Sequence, residues 1–128
     1  MEFFRQLTDV PEQFTAGALS IGNFDGVHRG HARLVGRLKE LAKQVGGPSV
    51  VLTFDPHPVR LLRPDQAPPP LTWAERKAEL LGQLGVDAVI AYPTNRGLLE
   101  KSPEEFFRTI VRDHLRARAI AEGPNFHF

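Results

Sequence analysis

The 128-residue sequence contains no cysteine, one tyrosine, one tryptophan and one methionine, and its charges nearly balance. Without cysteine the chain can form neither disulfide bonds nor thiolate metal sites, which is compatible with a reducing cytosol. A net charge of +1 gives no electrostatic reason to expect a nucleic-acid partner. No apolar run approaches the ~20 residues of a membrane span, and the N-terminus lacks a signal-peptide pattern. We therefore expect a cytoplasmic globular protein that binds neither nucleic acid nor a membrane.

Short apolar segments alternate with longer amphipathic segments along the chain. The apolar segments predict strands over residues 3–7, 18–22, 49–54, 86–91 and 117–122. The amphipathic segments predict helices over residues 30–45, 72–84 and 103–115, with Thr72 and Ser102 as N-caps. This alternation is typical of right-handed βαβ units, so we predict an α/β fold with a mainly parallel sheet flanked by helices. Ligands of such sheets bind beyond the carboxyl ends of the strands.

A glycine-rich turn that contains two histidines follows the strand predicted over residues 18–22. The segment GNFDGVHRGH spans residues 22–31 and leads into the first helix. Backbone N–H groups at a helix start have no intrahelical partner and attract anions. His28 and His31 are three residues apart, so both imidazoles can face one side and donate hydrogen bonds to phosphate oxygens. The turn predicts phosphate binding, with exposed histidines or a metal-binding pair as alternatives.

Other residues of this turn allow more than one interpretation. Asp25 is compatible with a turn-closing hydrogen bond and equally with binding of Mg²⁺ or a nucleotide. The amide of Asn23 either binds a ligand or closes the turn. Phe24 is expected to lie in the core. Gly30 permits a phosphate to approach the backbone closely.

The same segment resembles the signature of a known enzyme family. GNFDGVHRGH resembles the HxGH signature of the nucleotidylyltransferase superfamily, which cytidylyltransferases, pantothenate synthetases and nicotinamide-nucleotide adenylyltransferases share. Its longer form FDGVHRGH is similar to the adenylyltransferase module of prokaryotic bifunctional FAD synthetases (riboflavin kinase/FMN adenylyltransferase). TFDPHP, over residues 53–58, resembles the TFxPHP motif of these synthetases. Without the resemblance, a proline-rich turn that caps the strand would also explain TFDPHP.

The C-terminal segment GPNFHF, over residues 123–128, resembles the GxNFxFG loop of the same family. Asn125 stands where Asp or Asn is usual. His127 stands where the family commonly has Arg, a residue suited to contact a phosphate. The segments around Lys77 and residues 104–106 resemble the second and third helices of the family.

The resemblance implies a Rossmann-like nucleotidylyltransferase fold and transfer of AMP from ATP to FMN, which gives FAD and pyrophosphate. The implied catalytic residues are His28, His31 and Asn23. The implied ATP-binding residues are Gly22, Asn23, Phe24, Asp25, Gly26, His28, Gly30 and His31. The implied flavin-binding residues are Phe54, Pro56, His57 and Asn125. ATP and FMN are the expected small-molecule partners, and Mg²⁺ would be held mainly by phosphates rather than by a protein metal site.

The resemblance covers residues 1–128 and then stops. The family's domain continues to a further strand and helix with an ISSTxIR-like motif, and a riboflavin kinase domain usually follows. We therefore expect an FMN adenylyltransferase domain that is incomplete at its C-terminus, with the riboflavin kinase domain elsewhere in a longer chain. Another enzyme of the superfamily and a nucleotide-binding fragment without activity are the alternatives.

Overall fold

A computed structural model describes residues 1–22, 24, 29–55, 74–93 and 102–122. These residues form a five-stranded sheet in which every neighbouring pair of strands is parallel. The strands are β1 (Glu2–Phe4), β2 (Ala18–Ile21), β3 (Ser49–Asp55), β4 (Ala88–Pro93) and β5 (Ala119–Glu122). Their order across the sheet is β1-β4-β3-β2-β5. The α/β fold with a mainly parallel sheet is confirmed.

Helices connect the strands. They are α1 (Arg29–Val45), α2 (Ala74–Gln83) and α3 (Pro103–Phe106), and α3 continues into a π-helical segment (Phe107–His114). Two short 3₁₀ turns, Leu7–Asp9 and Glu12–Phe14, lie between β1 and β2. None of the helices in the described ranges is long and apolar enough to cross a membrane.

The sheet is covered on both faces by apolar packing. On the α1 face, side chains of α1 and α2 such as Val35, Leu38 and Leu81 pack against Val51 and Val89 of the sheet. On the α3 face, the third helix and the N-terminal turns pack against the other side of the strands. The main members of that second core are Leu19, Ile21, Leu52, Phe54, Ile90, Phe106, Ile110 and Val111. Burial on both faces explains why the central strands are continuous apolar runs.

The first two helices end where glycine was predicted to stop them. Gly46 follows α1 with a φ of +69°, and Gly85 follows α2 with a φ of +99°. The amide of Gly47 donates to the Ala42 carbonyl at 3.0 Å, and the amide of Val86 donates to the Leu81 carbonyl at 3.3 Å. Glycine adopts this left-handed conformation at low cost and lets the chain satisfy the last helical carbonyls.

Element boundaries differ from the predictions by a few residues. The Ser102 hydroxyl accepts a hydrogen bond from the Glu105 amide at 3.1 Å, which confirms Ser102 as an N-cap. The π-helical segment was not predicted; the Leu115 amide donates to the Ile110 carbonyl, five residues back. The predicted cap Thr72 and most of the predicted loop 55–70 lie outside the described residues.

Candidate functional site

The candidate site lies at the edge of the sheet where the carboxyl ends of all five parallel strands meet. β2 lies there between β3 and the edge strand β5. The chain leaves β2 through α1 to join β3, whereas β5 comes from the third helix on the opposite face. Strand order therefore reverses beside β2, and open α/β sheets bind their ligands in the crevice at such a switch point.

The N-terminus of α1 opens at this edge. Arg29, Gly30 and His31 form its first turn, and the helix then packs against β2, β3 and β5. Gly30 is exposed and His31 is half-buried. The 17-residue helix presents its positive dipole end at this edge, which favours an anionic ligand.

Phe24 lies directly against His31. Their ring centroids are 5.0 Å apart with an interplanar angle of 46°. Phe24 is only 3% exposed and belongs to the α1-face core, so its predicted core position is confirmed. Its φ of +55° is in the left-handed region, which costs a non-glycine residue roughly 1–2 kcal/mol. The fold therefore maintains an unfavourable backbone conformation within the predicted phosphate-binding turn.

Gly22 provides room for this arrangement. A Cβ atom at position 22 would lie 3.0 Å from Cε2 of Phe24, closer than ordinary van der Waals contact. The Gly22 amide donates to the Leu52 carbonyl at 3.1 Å, so the turn begins from a backbone fixed to β3. The fold thus brings Gly22, Phe24 and His31 together.

Phe54, predicted to contact flavin, has its backbone at the site edge and its side chain in the core. Its backbone lies near the carboxyl end of β3, but its side chain is 2% exposed and packs on the α3 face. Its ring centroid is 5.9 Å from that of Phe106. Phe54 therefore supports the floor of the site from within the core.

The other predicted site residues lie outside the described part of the chain. These are Asn23, Asp25, Gly26, His28, Pro56, His57 and Asn125. His127 lies outside it as well. The structure brings together Gly22, Phe24, Gly30 and His31 at one edge. Within the described residues, no group of three or more His, Asp or Glu side chains is arranged to hold a metal ion.

Tyr92 was not among the predicted site residues, and it is half-buried near the carboxyl end of β4. It is paired with Phe54 of β3 in the strand register and makes an edge-on contact with Phe106 at 6.0 Å. Burial raises the pKa of its phenol above the ordinary value of 10.0. The sequence signal that could have identified Tyr92 is an aromatic residue at the end of a predicted strand.

Buried polar side chains were also missed. Lys77 on α2 is 4% exposed and is engaged in a polar interaction. Ser20 on β2 is 1% exposed, and its hydroxyl has no hydrogen-bond partner in the described structure. The apolar neighbours of Ser20 in the sequence did not indicate that its hydroxyl would be buried without a hydrogen-bond partner in the described structure.

Known proteins resemble this chain in sequence. A family model described as FAD synthetase matches residues 10–128. A bifunctional riboflavin kinase/FMN adenylyltransferase of Pseudomonas fluorescens is 38% identical over 128 residues, which is 100% of this chain and 41% of the relative. A protein of the same name from Escherichia coli K12 is 37% identical over 110 residues, which is 86% of this chain and 35% of the relative. The chain thus spans about two fifths of the length of these relatives.

Two solved structures share the fold of this chain. A protein described as a macrolide-efflux protein from Streptococcus pneumoniae superposes with a TM-score of 0.78 at 21% identity, over 98% of this chain and 41% of that one. Pantothenate synthetase from Thermus thermophilus superposes with a TM-score of 0.50 at 24% identity, over 83% of this chain and 36% of that one. At these identities the structures indicate the fold alone. The family model and the sequence relatives go further, and the chain belongs to the FAD synthetase family.

Proposed function

We propose that this chain carries FMN adenylyltransferase activity, in which AMP passes from ATP to FMN and gives FAD and pyrophosphate. The observation that carries the proposal is the position of His31 on the first turn of α1, at the switch point of a parallel sheet. Family membership supports this choice of reaction, and the relatives' names include the same activity.

The reaction needs positioning more than acid–base chemistry. A phosphate oxygen of FMN attacks the α-phosphorus of ATP in line and forms the new P–O bond. The bond from that phosphorus to the oxygen that bridges to the β-phosphorus breaks, and pyrophosphate leaves with the electron pair. The nucleophile is already an anion, so no protein base is required. Catalysis then consists of orienting the reactants and neutralising charge on the phosphates.

The α1 turn would perform that neutralisation. His31 and His28 would donate hydrogen bonds to the triphosphate, while the amides at the helix start bind the same charge. Asn23, Asp25 and the backbone at Gly22, Gly26 and Gly30 would complete the ATP side. Magnesium enters as the MgATP substrate, bound mainly through phosphate oxygens.

The flavin side would lie at the carboxyl end of β3. Phe54 supports it from the core, and Pro56, His57 and Asn125 would contact the flavin. The riboflavin kinase activity in the relatives' names would belong to a part of the longer protein outside these 128 residues. We place the whole protein in the cytoplasm.

The test is FAD formation by the protein that contains this chain, supplied with MgATP and FMN. Loss of one preorganised charge-stabilising donor typically lowers the rate about 10²–10³-fold, so His31→Ala should lower adenylylation by about that factor. His114→Ala is the matched control, because His114 is exposed and directly precedes Leu115, whose carbonyl binds the Ala16 amide at the opposite edge of the sheet. This control should retain the wild-type rate.

Two outcomes would contradict the proposal. Unchanged turnover in His31→Ala would remove His31 from the site. Binding of ATP without FAD formation, and without binding of FMN in a titration, would indicate a different acceptor and another nucleotidylyltransferase.

A further inference from the structure

We infer that Phe24 is a positioning residue: its buried ring fixes the imidazole of His31 in the orientation that binds the triphosphate. This inference deepens the proposed function and rests on it for the identity of the ligand. The contact between the two rings is independent of any ligand and is tested separately.

The contact joins the buried ring of Phe24 to the half-buried imidazole of His31. Phe24 is 3% exposed and packs in the same core as Val35 and Leu38 of α1. His31 is half-buried, on the same helix. The separation of 5.0 Å between the ring centroids is within the range at which aromatic pairs stabilise each other. Because the imidazole lies in tilted contact with a buried ring, the number of rotamers open to His31 is reduced.

The backbone of Phe24 indicates that this placement is specific. Left-handed residues are usually glycine, asparagine or aspartate, yet a phenylalanine occupies the position with a φ of +55°. Such conformations persist only where the surrounding structure determines them, and they cluster at ligand sites. Glycine would adopt this backbone conformation at a lower free-energy cost. The presence of phenylalanine therefore indicates that the aromatic side chain itself is needed at position 24.

Gly22 is the second element of the arrangement. A Cβ there would press on the Phe24 ring, at 3.0 Å from Cε2 and 3.4 Å from Cδ2. The Gly22 backbone cannot easily yield, because its amide is bonded to β3 through Leu52. The absence of a side chain at position 22 thus leaves the space that the Phe24 ring occupies against His31.

The contact itself is tested by NMR on the unliganded protein. The ring-proton resonance of His31 is assigned by its loss in His31→Ala, and the resonance of His114 serves as an internal control. Phe24→Leu should shift the His31 resonance, because it removes the ring current, and should leave His114 unchanged. Gly22→Ala should also shift it with Phe24 still present, which keeps the test available if Phe24→Leu does not fold. An unmoved His31 resonance in the folded variants overturns the inference.

The functional consequence is tested by titration with ATP. Loss of one hydrogen bond to a charged group costs about 10- to 100-fold in affinity, so Phe24→Leu should weaken ATP binding by about that factor. Ile110→Ala is the matched control: it empties part of the opposite core, where Ile110 is 1% exposed, and should leave the affinity unchanged.

A double-mutant cycle separates positioning from general destabilisation. If Phe24 acts through His31, Phe24→Leu should have no further effect on ATP affinity once His31→Ala is present. An equal effect in both backgrounds, or an equal loss in Ile110→Ala, overturns the inference. If wild-type protein does not bind ATP, the proposed function fails, and the NMR comparison alone decides whether Phe24 holds His31.

Discussion

A hydrogen-bonded pair at the amino ends of β3 and β4 allows stability to be separated from function. One carboxylate oxygen of Asp87 accepts from the Ser49 amide at 2.9 Å and from the Ser49 hydroxyl at 3.1 Å. The Asp87 amide donates back to the Ser49 hydroxyl at 3.1 Å. Ser49 is 2% exposed, so its polar groups have little access to replacement water. We therefore predict that Asp87→Ala destabilises the fold without damaging the candidate site.

The magnitude follows from the two bonds that would be lost. Hydrogen bonds to charged groups contribute about 1.5–3 kcal/mol each, but the Asp87 side chain itself is exposed to solvent, which reduces the net value. At about 1 kcal/mol per bond, Asp87→Ala should lower the free energy of unfolding by about 2 kcal/mol. This corresponds to a fall in Tm of about 6–10 °C for a domain of this size.

Urea unfolding at neutral pH measures the change, with two variants as references. Asp87→Asn keeps an acceptor oxygen without the charge and should cost about 1 kcal/mol. In a Ser49→Ala background, Asp87→Ala removes only the bond to the amide and should also cost about 1 kcal/mol. ATP affinity of the folded variants should equal that of the wild type, because the pair lies at the opposite end of the strands from α1's first turn.

An equal loss of unfolding free energy on Asp87→Ala with and without the Ser49 hydroxyl would contradict this prediction. The prediction also fails if the total cost is below about 0.5 kcal/mol, which is ordinary for a surface substitution that breaks no buried bond.

Two further predictions concern Tyr92 and the glycines. Because burial raises the pKa of the Tyr92 phenol above 10.0, the neutral phenol stabilises the fold below that pH, and this contribution is lost as the pH rises through the folded-state pKa. Ultraviolet titration of the chain's one tyrosine should give a higher midpoint in buffer than in urea; equal midpoints would contradict the assignment. Gly17→Ala should cost about 3 kcal/mol in urea unfolding, because its Cβ would overlap with the Pro48 carbonyl oxygen. Gly36→Ala, in the middle of α1 with open space around it, should instead stabilise by about 0.5–1 kcal/mol, and a loss in both variants would refute the steric explanation.

The sequence predicted most elements because local signals and burial agreed. SVVLTF is apolar on both faces and became a central strand, and Gly46 and Gly85 stopped their helices. Arg33 and Arg37 lie on the exposed face of α1, as the helical spacing of its leucines requires. Boundaries were less predictable: β5 begins at Ala119, two residues after its predicted start, and the left-handed Arg116 (φ +50°) precedes it. The π-helical geometry of residues 107–114 has no local sequence signal.

For the candidate site, the sequence by itself determined which chemistry is present: histidines and glycines at a helix start, and an aromatic-proline segment after a strand. These follow from residue types and spacing, which are local properties. Only the tertiary structure decided that Phe24 lies against His31 above Gly22, that Phe54 lies in the core, and that Tyr92 lies beside it. Such contacts depend on strand order and on which face each side chain occupies. Spacing along the chain does not specify them, because they arise when separate segments pack together.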